Sequence, residues 1–86
     1  MLIKMSDSQI ATVIESLHDL AVDSTVPRNV KAKIENTIHS LQENVEISIR
    51  VNRALQALEE IADDSNMQTY TRMQLMNIMS MLENVR

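Results

Sequence analysis

Not one of the 86 residues is glycine, and a single residue, Pro27, is proline. Sheet proteins turn on residues with positive φ, which glycine normally supplies. A chain without it, rich in Leu, Met, Glu, Gln and Ala, is constrained to helices joined by short polar connections. Its length supports one domain over 1–86, because two domains would each fall near the size at which a core no longer suffices. The lone aromatic is Tyr70, so the core must be aliphatic and thioether.

Hydrophobic spacing resolves four helical segments. Ser6-x-x-Gln9 fits a capping box with Met5 and Ile10 as its staple, and Ile10, Val13, Ile14, Leu17, Leu20 and Ala21 then share one face. That first helix should end near Val22. The second starts at Pro27, whose missing N–H had no partner in a first turn anyway, and carries Val30, Ile34, Ile38, Leu41 and Val45. A break near 42–45 is predicted, with Asn44 able to cap the next helix. The alternative is one unbroken helix through 38–55. The third segment carries Ile47, Val51, Ala54, Leu55, Leu58, Ile61 and Ala62. The fourth runs from near Gln68 almost to Arg86 and carries Thr71, Leu75, Ile78, Met79 and Leu82.

The two halves, about 6–43 and 46–86, match at an offset of 41: Ile14, Leu17, Ala21, Asp23, Ser24, Lys31, Ile34, Ile38 and Leu41 meet Leu55, Leu58, Ala62, Asp64, Ser65, Arg72, Leu75, Met79 and Leu82. Asn36 also meets Asn77. Helical periodicity alone aligns the apolar positions, but not Asp-Ser, the basic residue and Asn. The predicted fold is therefore all-α, an up-and-down four-helix bundle built from two related helical hairpins.

Composition narrows the function classes. There is no cysteine, so disulfides, thiolate metal sites and cysteine nucleophiles are excluded. A secreted domain this small would usually carry such staples, so a cytoplasmic setting is expected. The net charge of −4 disfavours nucleic acid and anionic membrane as partners. Met1 to Met5 is too short for a signal segment, and no apolar run approaches the roughly 20 residues of a membrane span.

No chemistry-bearing constellation stands out. Glu15-x-x-His18 resembles a di-iron element, but at 100° per residue both side chains point away from the apolar stripe, as do Glu35 and His39. They read as solvated. The run Asp63-Asp64-Ser65-Asn66 lacks the glycine and distal glutamate of a calcium loop. Serine elbows and phosphate-cradling loops both need glycine. No catalytic residue, metal or cofactor is expected.

Two features remain. Arg28, Lys31 and Arg72 lie early in their helices, where the macrodipole disfavours cations. Lys31 and Arg72 are expected to pair with the acids of the preceding loops, Asp23 and Asp64. Alternatively, both loops form a charged recognition surface at one end of the bundle. The last helix carries Met73 opposite its core face and Met76 well beyond that face's edge. Either it is the most buried helix, or Met73 is simply exposed, or the helix is a contact surface for a partner or a second copy.

The string Asp23 to Val30 with Lys31, then Arg50, Glu60-Ile61, Asp64, Asn66-Met67, Arg72, Asn77-Ile78, Ser80 and Leu82-Glu83, resembles uncharacterised protein family 0147, short archaeal proteins without assigned activity. The likeness runs from about Leu17 to Glu83, and Val-Pro-Arg-Asn-Val is its most specific element. The resemblance implies an up-and-down four-helix bundle and brings no catalytic residues. Its pattern has proline in both loops, which supports the duplication. This chain departs at Ser65 and Gln68, where proline is usual, and at Met76, where an aromatic is usual. Those changes are expected to blur the start of the last helix and soften its packing.

The functional expectation is a non-enzymatic structural or protein-interaction module, self-association through the fourth helix included. Its candidate surface is Arg28, Lys31, Arg50, Arg72, Met73 and Met76. Two other classes stay open. One is an adaptor in a ribonucleoprotein or nucleic-acid complex using Arg28, Lys31, Lys33, Arg50 and Arg53. The other is a small-ligand binder or enzyme with a site inside the bundle.

Overall fold

The computed structural model describes residues 5–85, with side chains from Asp7 onward. Four helices follow one another: α1 (Met5–Ala21), α2 (Arg28–Leu41), α3 (Ile47–Ala62) and α4 (Thr69–Glu83). Among the described residues there is no strand. Each helix packs on its neighbours in sequence, α1 also packs on α4, and the diagonal pairs do not meet. This is an up-and-down four-helix bundle. Residues 42–46 separate α2 from α3, so the unbroken helix through 38–55 does not form. Ser6 lies within α1 rather than ahead of it, and the expected capping box and staple involve side chains outside the described residues.

The duplication is legible in the packing. Buried Val30, Ile34, Thr37 and Leu41 of α2 stand 41 residues before buried Thr71, Leu75, Ile78 and Leu82 of α4. Ile10, Val13, Leu17 and Leu20 likewise precede Val51, Ala54, Leu58 and Ile61 of α3. These four stripes form one core, with Ile14, Ile38, Ile47, Leu55, Met79 and Met81 packed half-buried at its edge. Its buried polar residues are Thr37 and Thr71. Thr37 is buried without penalty because its hydroxyl donates to the Lys33 carbonyl at 2.9 Å. Val45, placed in the α2 stripe from spacing, is exposed because the helix ends at Leu41.

The loops 22–27 and 63–68 repeat as closely as the helices do. In each, the aspartate carboxylate accepts the backbone N–H two residues on, Thr25 at 2.8 Å and Asn66 at 2.9 Å. In each, the aspartate carbonyl accepts the N–H of an apolar residue, Val26 or Met67, whose side chain is buried at the end of the core. This explains the repeated Asp: the carboxylate builds the turn that glycine would otherwise permit. Pro27 and Gln68 then precede the next helix at φ −58°, ψ 148° and φ −65°, ψ 149°. Gln68 thus adopts proline-like angles without proline, and the start of α4 is as sharp as that of α2.

The third loop differs. Glu46 takes the N-cap position of α3, without a side-chain cap, and Asn44 does not. Arg50 and Arg53 of α3 cross this loop. They reach back to the Leu41 carbonyl (3.1 Å) and the Glu43 carboxylate (2.9 Å), which holds residues 42–46 across the end of α2.

Equivalent core positions should be equivalently costly to hollow out. Leu17→Ala and Leu58→Ala are each expected to lose about 3 kcal/mol of stability. Urea unfolding of the two variants checks this, and the two losses should agree to within about 1 kcal/mol.

Candidate interaction surface

The six residues singled out from sequence are not gathered in one place. Arg28 is exposed at the start of α2, and Lys31 is half-buried one turn later. Arg50 lies in the first turn of α3, at the opposite end of the bundle, since successive helices run antiparallel. Arg72 lies near the start of α4, at the end shared by loops 22–27 and 63–68, which Asn29 joins by donating to the Asp64 carboxylate at 3.3 Å.

The expected pairing of Lys31 and Arg72 with loop acids does not hold in that form. Arg72 donates from Nε to the Ala62 carbonyl (3.0 Å) and from Nη2 to the Asp64 carbonyl (2.8 Å), not to a carboxylate. The one ion pair among the described residues is Arg53–Glu43, at 2.9 Å and about half exposed on both sides. The reason lies in helix ends. α3 terminates in carbonyls without helical partners, and the antiparallel start of α4 brings Arg72 beside them. The cation disfavoured at its own N-terminus is favoured at its neighbour's C-terminus. Arg50 does the same for Leu41.

Lys31 acts on Asp23 from a distance. The Thr25 backbone N–H, then the Thr25 hydroxyl at 2.7 Å, hold the Asp23 carboxyl below its ordinary value. Partial desolvation opposes them, and Lys31 adds to the lowering.

The methionines stand apart from this framework. Met73 is 60% exposed and Met76 58%, with Tyr70 65% exposed beside them. At three-residue intervals each step turns by about −60° around a helix of 3.6 residues per turn. The three therefore form a ridge slanting across the outer face of α4. One end reaches a groove of about 360 Å³ between α1 and α4, where Tyr70 stands with Asp19 and Asp23 above a floor of Leu20 and Ile78. The other end reaches a recess of about 420 Å³ against α3, where Met76 lies with Arg72, Glu59 and Asp63. Tyr70 did not emerge from the sequence, although its spacing to Met73 and Met76 carries the signal. α4 meets both its neighbours less closely than α2 does, so it is not the most buried helix. Its outer residues Met73 and Met76 face away from the core.

The histidines and their spaced acids, Glu15, His18, Glu35 and His39, are all exposed. Among the described residues no three metal-ligating side chains come together. Among the described residues no helix is long and apolar enough to cross a membrane.

The model of an uncharacterised protein family, UPF0147, matches residues 1–85. A protein of that family from Sulfurisphaera tokodaii is 35% identical over 82 residues, spanning 94% of this chain and 92% of its own length. One from Methanocaldococcus jannaschii is 39% identical over 71 residues, 81% of this chain and 76% of its own. The crystal structure of the unknown function protein MMP1188 superimposes with a TM-score of 0.90 at 31% identity, covering all of this chain and 98% of that one.

Two outcomes are expected. Arg72→Met should cost about 1–3 kcal/mol in urea unfolding, since it orphans the Ala62 carbonyl and leaves Asp64 O with the Met67 N–H alone, whereas Arg53→Met should stay within about 1 kcal/mol. As pH falls, the unfolded chain takes up the Asp23 proton first, so this stabilisation is present at neutral pH and lost as pH falls through the lowered value. A carbon NMR titration of Asp23 should give a midpoint below that of the unfolded chain, and Thr25→Ala should raise it part of the way.

Proposed function

This chain belongs to the uncharacterised protein family UPF0147, and we propose that it is a non-enzymatic protein-interaction module presenting the outer face of α4 to a protein partner. The ridge of Tyr70, Met73 and Met76 carries this reading. Three large apolar side chains aligned on the outer face of one helix leave surface that a bundle has no internal use for. Methionine suits such a face, because its unbranched, polarisable chain adapts to the partner's shape. The neighbouring recesses add relief for shape complementarity. Arg50 and Arg72 drop out as direct contacts, since their guanidinium groups already hold helix-end carbonyls.

The nucleic-acid alternative draws less support. Its basic residues divide between two helices that start at opposite ends of the bundle, Arg28, Lys31 and Lys33 on the first turns of α2, Arg50 and Arg53 on those of α3. Arg50 and Arg53 are engaged with Leu41 and Glu43. A site inside the bundle would have to work with Thr37 and Thr71, the buried polar residues among those described.

A photo-crosslinking residue placed at position 73, with a control at exposed position 35 on α2, tests the reading in native cells. Discrete adducts to a protein from position 73, absent from position 35, are expected. Equal labelling from both positions, or none from position 73, overturns it.

A further inference from the structure

The ridge is apolar, but the ground on both sides of it is acidic. On the α1 side, Asp19 and Asp23 line the groove, and no Lys or Arg lines it with them. On the α3 side, Glu59 and Asp63 line the recess, where Arg72 is the one cation and is already donating to two carbonyls. The internal repeat sharpens the contrast. The positions equivalent to Asp23 and Tyr70, 41 residues away in each case, are Asp64 and Asn29. There the asparagine donates to the aspartate and closes the gap between α2 and α3. In the α1–α4 groove tyrosine replaces that asparagine, and Gln74 donates to its phenol oxygen at 3.0 Å instead. The Gln74 carbonyl oxygen is itself buried without a partner. The groove thus lacks the cross-gap asparagine of its counterpart, the Asp23 carboxylate accepts, among the described residues, only from Thr25 within its own loop, and α1 and α4 pack less closely than α2 and α3.

We infer that the partner segment is basic: a stretch of protein chain that lays apolar side chains across Tyr70 and Met73 and directs a lysine or arginine into the α1–α4 groove beside Asp19 and Asp23. This rests on the reading of α4 as a protein-docking face and goes on to specify what docks. Charge complementarity selects the occupant. Opposite charge bordering an apolar strip steers encounter and fixes register, while like charge opposes it. A second copy of this chain is a poor fit, because a twofold contact through α4 sets acidic margins against acidic margins in a chain of net charge −4. A long basic side chain suits the groove, since its aliphatic stem can lie on Leu20 and Ile78 while its head reaches the carboxylates.

The experiment uses the full chain with carbon-labelled methionine methyls and two synthetic peptides that share their apolar residues, one carrying arginine and the other glutamate at the charged positions. The arginine peptide should shift the Met73, Met76 and Met81 methyls and bind at least tenfold more tightly than the glutamate peptide. Asp19→Lys should weaken it at least fivefold, and Glu35→Lys on α2 should leave it unchanged. Both positions are exposed, and circular dichroism confirms that each variant folds. Equal binding of the two peptides, no methyl shift with the arginine peptide, or indifference to Asp19→Lys overturns the inference. So does concentration-dependent dimerisation that shifts the same methyls. If crosslinking from position 73 to a protein partner persists alongside a failed peptide preference, the docking face stands and only its charge assignment falls. If the crosslinking fails as well, both fall.

Discussion

The bundle depends on how its helices end. A chain without glycine has no easy left-handed residue to close a helix, and no described residue takes positive φ. Gln42, Asp63 and Asn84 close α2, α3 and α4 with φ of −98°, −77° and −89°. Carbonyls left over at two of these ends go to arginines from the following helix, Leu41 to Arg50 and Ala62 to Arg72. Each arginine therefore locks a helix to its successor at the connection between them. A planar fork with several donors in fixed directions suits this, whereas the lysine ammonium is a compact point charge without that fork.

Against that shared framework the two halves have diverged in their outer faces. α2 is the well-enclosed member of its pair, with exposed lysine and arginine on its first turns. α4 is the loosely enclosed member, with a nearly uncharged outer face between two acidic flanks. The repeat works as an internal control. Where both copies agree, as at Asp23 and Asp64, the residue serves the fold. Where they differ, as at Asn29 and Tyr70, the asparagine bonds to the aspartate of the neighbouring loop while the tyrosine stands exposed.

The stripes of Val, Ile and Leu were readable because helical spacing and burial coincide, and the offset of 41 was readable because polar residues recur with the apolar ones. What was hidden depended on backbone partners. Thr37 counts as polar in a sequence, yet it is buried because its hydroxyl returns to Lys33 O. Val26, Met67 and Val85 lie outside the helices, yet the loops and the chain's last described turn fold them over the core ends. Arg72 was recognised as out of place for its own helix, but a list of side chains offers it only carboxylates. Its acceptors are carbonyls, which every residue has. The candidate surface was half legible for the same reason. Met73 and Met76 are exposed because no helix packs outside α4, whereas the arginines chosen with them belong to the scaffold.

The equivalence of the two hairpins has a consequence for how such a molecule can vary. Two identical copies of one hairpin, paired face to face, would carry every substitution twice, at both seams. Two hairpins in one chain are free of that coupling, so one seam can hold an asparagine at position 29 while its counterpart holds a tyrosine at position 70.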